Sequence, residues 1–136
     1  MNYYDRNGEQ MTVEQWATAF EDTKYRILGS YFVGNLWVST IWLGIDHDYL
    51  NMFRDPPMPP LIFESMIFTV PEGDDHWSYL EMRRYRTERE AMVGHTDLVH
   101  LANTMVDVEE EVMTGDPHDS DRDVHLLPEV EGGEAE

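Results

Sequence analysis

Apolar residues recur along this chain with two different periods, and the switches between them mark out its elements. Thr12 stands three residues before Gln15. That is the spacing of a capping box, in which each side chain satisfies the other residue's backbone N–H. Val13, Trp16, Ala17 and Phe20 follow at helical spacing, so a short amphipathic helix is predicted over 13–22. Ahead of it, Tyr3-Tyr4 reads as a short strand ended by the turn "RNGE". From Lys24 the pattern turns extended: "KYRILGSYF", a turn at Gly34-Asn35, then "LWVSTIWLGI", together a β-hairpin. The stiff loop "RDPPMPP" leads to a third strand in "LIFESMIFTV", and "PEGDD" turns into a fourth, "WSYLEMRRYR". Thr87 and Glu90 form a second capping box. The helix behind it carries Ala91, His95, Leu98, Ala102 and Met105 on one stripe, widened by Met92, Val99 and Val106.

The predicted order is β-α-β-β-β-β-α. This is an α+β fold with an antiparallel sheet of four to five strands, in meander order because the connections are short. Two helices, each with one apolar stripe, pack mainly on one face of that sheet. Residues 1–113 make a single domain. Residues 114–136, rich in Asp, Glu, Gly and Pro, bury too little apolar area to offset ordering entropy and read as an acidic tail. Within the tail, Val124, Leu126 and Leu127 form an apolar island able to dock on a surface, the chain's own or a partner's.

The two middle strands raise a further question. Trp37, Ile41, Leu43 and Ile45 alternate with Leu36, Val38 and Trp42; Leu61, Phe63 and Ile67 alternate with Ile62, Met66 and Phe68. Successive strand residues point to opposite faces, so both faces of these strands are largely apolar. Helices covering one face leave the other to a second copy, another protein, the tail's island, or strong curling of the sheet. Trp37, Trp42, Phe63, Met66 and Phe68 are the candidate interface residues, the outward set being open at this stage.

Charge narrows the partners. Twenty-eight acids face nine Lys and Arg, a net charge of −19, and twelve of the acids lie in residues 107–136. Direct nucleic-acid binding through phosphates and attraction to an anionic membrane are both disfavoured. Basic proteins and cations suit such a surface. With no cysteine, disulfides, thiolate metal sites and thiol nucleophiles are excluded. The N-terminus lacks the pattern of a secretory signal, and no apolar run reaches membrane-spanning length. A cytoplasmic setting is expected.

Candidate chemistry is sparse. Asp46-His47-Asp48 ends an apolar strand. If the strand continues, His47 points away from Asp46 and Asp48; if the chain turns at Gly44, the three side chains could converge on a divalent metal. The plainer reading is that they satisfy turn backbone groups at a strand end. Glu64 interrupts the apolar run "LIFESMIF". It is either a tuned acid–base group or the ion-pair partner of Arg83, Arg84 or Arg86. Asp97 and His100, spaced i, i+3, read as a solvated helix face, and His95 as a core-edge histidine. Arg54, Pro57 and Pro60 fit R-x-x-P-x-x-P, a polyproline pattern whose plainer reading is a stiff loop. No phosphate-binding loop, dinucleotide fingerprint or nucleophile elbow is present.

Four blocks, "YYDRNGEQMTVEQWATAFED", "VSTIWLGIDHDY", "PPLIFESMIF" and "RYRTEREAMVGH", resemble a family of small proteins of tailed bacteriophages and prophages, especially those of actinobacteria. The resemblance covers roughly residues 3–100. It implies a phage origin and a host-cytoplasm setting, and it carries over no catalytic residues, cofactor or activity. Together these readings favour a non-enzymatic phage accessory protein that binds a host or phage protein, or a second copy of itself. Its second apolar sheet face and its acidic surface would make the contact, the latter acting in one variant as a mimic of DNA. A small metal-assisted enzyme centred on Asp46, His47 and Asp48, and a minor virion component, are the alternatives.

Overall fold

The hairpin "ILGSYFV-GN-LWVSTIW" organises the chain. A computed structural model describes residues 1–73 and 76–114, so the proposed tail beyond Thr114 and its island lie outside the described residues. Strands β3 (Ile27–Val33) and β4 (Leu36–Trp42) pair antiparallel across the Gly34-Asn35 turn. Gly34 takes φ +56° there, a conformation open to glycine. β5 (Phe63–Thr69) and β6 (Ser78–Tyr85) continue the meander, giving a four-stranded antiparallel sheet in the order β3-β4-β5-β6. The α+β class and the meander expected from the sequence are both present.

The long helix α3 (Glu88–Thr114) crosses one face and touches all four strands. Its capping box forms as predicted: Thr87 Oγ1 accepts the Glu90 N–H at 3.1 Å, and Glu90 Oε1 accepts the Thr87 N–H at 3.0 Å. Leu98, Val99, Ala102 and Val106 meet Tyr31, Val33, Leu36, Val38 and Ile67 in the main core. A second cluster, Trp42, Ile62, Phe63 and Ala91, is closed by the short helix α1 (Val13–Glu21), whose Trp16 and Phe20 cover it. The α1 capping box between Thr12 and Gln15 is also present.

Three local readings need correction. Gln10–Met11 is a strand, β2, pairing with β1 (Tyr3–Tyr4) in a separate two-stranded sheet. The chain is not extended from Lys24: Thr23–Arg26 forms one helical turn, α2, capped by the Asp22 carboxylate accepting the Lys24 N–H. β4 stops at Trp42 because Gly44 turns to φ +76° where a Cβ would stand 2.6 Å from both Trp16 and Trp42. Only a residue without a side chain lets the chain pass between these indoles.

Candidate functional site

Register decides which alternate set faces outward. Phe32 sits opposite Trp37, Trp37 opposite Phe68, Met66 opposite Met82, and Ile27 opposite Ile41. These residues share the face that α3 does not cover. Phe32 stacks on Trp37 with ring centroids 5.5 Å apart, Trp37 on Phe68 at 5.2 Å, and Trp77 meets both edge-on at 5.7 and 5.9 Å. The Trp37 indole N–H donates to Ser30 Oγ at 2.9 Å, so the ring is held from within the face. Phe32 is 62 % exposed, Tyr79 57 % and Trp77 55 %. The face is an ordered aromatic surface with nothing from the described residues laid over it.

Of the candidate interface residues, Trp37, Met66 and Phe68 belong to this open face. Trp42 and Phe63 do not: both are fully buried against α1 and α3. The Trp42 N–H donates to the Tyr4 carbonyl at 3.0 Å. Phe32, Tyr79 and Met82 were missed, although counting alternation outward from Trp37 across the Gly34-Asn35 turn would have found Phe32. Trp77, just before β6, had no such signal. Among the described face residues the one charged pair is Glu64 with Arg84, 3.0 Å apart, which is the ion-pair reading of Glu64.

Asp46, His47 and Asp48 are brought into one loop but do not point to a common centre. Asp46 Oδ1 accepts the N–H groups of Asp48 and Leu61, each at 2.9 Å, and Oδ2 accepts Asn51 Nδ2 at 2.8 Å. His47 Nδ1–H donates to its neighbour's carbonyl, Ile45 O, at 2.8 Å. Asp48 is clamped by Arg54 Nε at 2.9 Å and Arg86 Nη2 at 2.8 Å. Those two guanidinium groups, Arg54 foremost, hold its carboxyl down to about 2. Among the described residues, no three His, Asp or Glu side chains stand close enough to share a metal ion.

These anchors do something else. Asn51 is buried and also bonds Met58 through both its amide ends, at 2.8 Å each. The loop therefore turns its polar groups inward and leaves Tyr49, Leu50, Met52, Phe53 and Met58 exposed. Between it and the N-terminus lies a cleft of about 430 Å³, lined by Met1, Tyr4, Ile45, Asp46, Tyr49 and Met52 among others. The Pro-rich stretch is part of this built loop, with Arg54 committed to Asp48 rather than to a polyproline motif.

One further polar group could suggest catalysis. Thr40 Oγ1 lies 2.7 Å from both Ser65 Oγ and His95 Nδ1. All three residues are buried between sheet and α3. A nucleophile must be reachable by its substrate, so this cluster is a positioning device. Gly29 makes room for it, since a Cβ there would stand 2.6 Å from the His95 ring. Tyr85 borders the same region, its phenol pushed up by burial while the Ser65 hydroxyl pulls the other way. His95 is thus the core histidine of the α3 stripe, and Asp97 and His100 lie on the exposed side of α3.

No protein-family model, no curated protein and no solved structure matches this chain. No helix among the described residues is long and apolar enough to cross a membrane.

Proposed function

We propose that this chain is a non-enzymatic accessory protein of a tailed bacteriophage or prophage, acting in the host cytoplasm by binding a host or phage protein. The observation that carries the reading is the open face. Four rings packed into one surface, three stacked and Trp77 edge-on, two of them more than half exposed, are costly to leave in water. Aromatic anchors of this kind dominate protein–protein contacts because they bury large area with little side-chain entropy to lose. The phage setting rests on the resemblance of residues 3–100.

The engagement of both Asp46 oxygens by N–H donors and of Asp48 by two arginines favours a binding role over a metal-assisted one. The acidic surface outside the open face suits a basic partner, and the net charge of −19 argues against direct contact with nucleic acid.

Affinity capture from infected host cells tests the reading. The full chain should retain a defined protein that the double variant Phe32→Glu/Trp77→Glu loses while keeping its circular dichroism spectrum. Equal capture by both chains would remove the open face from the function.

A further inference from the structure

The reading of the open face as a docking surface leaves its occupant unnamed. Three observations bear on it. First, the area. The exposed parts of Phe32, Trp77, Tyr79, Leu80, Ile27 and Met82, with the half-buried Trp37, Ile41, Met66 and Phe68, amount to about 700 Å² if a whole aromatic side chain contributes roughly 150–250 Å². A stable interface buries about 800 Å² per partner. The open face is therefore of the size that one copy of itself would cover, and above the largest apolar patch of about 300–600 Å² usual on a monomer.

Second, the charge. The chain carries −19, yet the face-forming strand residues hold one acid and one base, Glu64 and Arg84, already bonded to each other. The face offers no free charge by which a basic partner would be selected. It is electrically self-compatible in a way the rest of the surface is not. Third, the form. The face is one side of a four-stranded antiparallel sheet, with register shifts at Ile27/Gly29 and Ile67/Phe68, and two such sheets stack about 10 Å apart with their side chains interdigitating.

We infer that the open face, read above as a docking surface, is closed by a second copy of this chain in a twofold, face-to-face dimer. Phe32, Trp37, Phe68 and Trp77 of each copy form its centre. The acid-rich remainder then faces outward from both copies, and a basic partner that spans the pair is lost when Phe32→Glu/Trp77→Glu separates them.

Sedimentation velocity on the full chain tests this. Twice the chain mass is expected at tens of micromolar, with association tightening as salt rises. Screening relieves the repulsion between two acidic chains, whereas a charge-matched contact would weaken. Phe32→Glu should loosen the dimer by roughly a hundredfold or more, since each copy would bury an unpaired carboxylate; Phe32→Leu should keep it. A wild-type monomer overturns the inference. If the wild-type monomer still loses a captured protein on Phe32→Glu, the docking reading survives with a different occupant. If its tryptophan emission shifts only on the full-chain variant Leu126→Asp/Leu127→Asp, the face belongs to the chain's own C-terminal segment. A dimer that Phe32→Glu leaves intact also overturns the inference, because pairing then uses another surface, such as the outer edge of β6.

Discussion

Two tryptophans five residues apart on β4 sit on opposite sides of one sheet, and they differ in almost everything but chemistry. Trp42 is fully buried, edge-on to Tyr25 with centroids 5.0 Å apart, and its N–H is bonded to the N-terminal strand. Trp37 is also hydrogen-bonded and also stacked, but every partner lies within its own sheet or just before β6. Satisfying the indole N–H therefore does not distinguish a core ring from a contact ring. What distinguishes them is whether another element covers the ring. The covered side draws on α1, α2 and α3; among the described residues the open side has its own strands and Trp77.

Substitutions should separate the two sides sharply, compared in urea at concentrations where the chain is monomeric. Trp42→Ala removes a ring packed on all sides and should cost about 3–5 kcal/mol of folding stability. A loss under 1 kcal/mol would mean that the covered side is not the core. Thr40→Val keeps the shape but strips His95 Nδ1 and Ser65 of their shared hydroxyl. About 1–3 kcal/mol should be lost, and Ser65→Ala should recover part of it in the double variant. Phe32→Ser should change monomer stability by about 1 kcal/mol or less, because the ring is stacked but mostly in water.

The smallest effect concerns the loop beside these faces. Asp48 is held below the ordinary carboxylate range by Arg54 and then Arg86. Its contribution to anchoring the loop is complete above about pH 5 and fades as pH falls through 4 toward 2, where the carboxyl takes up a proton. Amide protection factors in residues 49–58, taken against the intrinsic exchange rate at each pH, should fall across that window and stay constant between pH 7 and 5. Asp48→Asn should show the lower protection already at pH 7.

Much of this fold is legible in the amino-acid sequence. Both capping boxes, the Gly34-Asn35 turn and the meander rest on local chemistry that a sequence displays. So did the two-sided apolar pattern of the middle strands. Which side was covered could not be read, because Leu36/Val38/Trp42 and Trp37/Ile41 are equally apolar. The answer lies in the long-range seating of α3, fixed by His95 over Gly29 and by its bond to Thr40. The strand Gln10–Met11 was hidden because its pairing with Tyr3-Tyr4 is not written in its polar composition. The α2 turn was not hidden: Asp22 is a ready N-cap for Thr23–Arg26. The Asp46-His47-Asp48 tripeptide was ambiguous in the sequence, since residue types that bind metal also staple loops, and the staple itself becomes visible only with the position of Asn51. The outward Tyr49, Leu50, Met52 and Phe53 follow from that same staple.

Hydroxyl-radical footprinting across a dilution series tests the central claim most directly. Phe32, Trp77 and Met82 should be oxidised readily in dilute protein and protected together as concentration rises, with Trp42 protected throughout. Phe32 and Trp77 as protected as Trp42 at every dilution would show that the monomer leaves no open face to be closed.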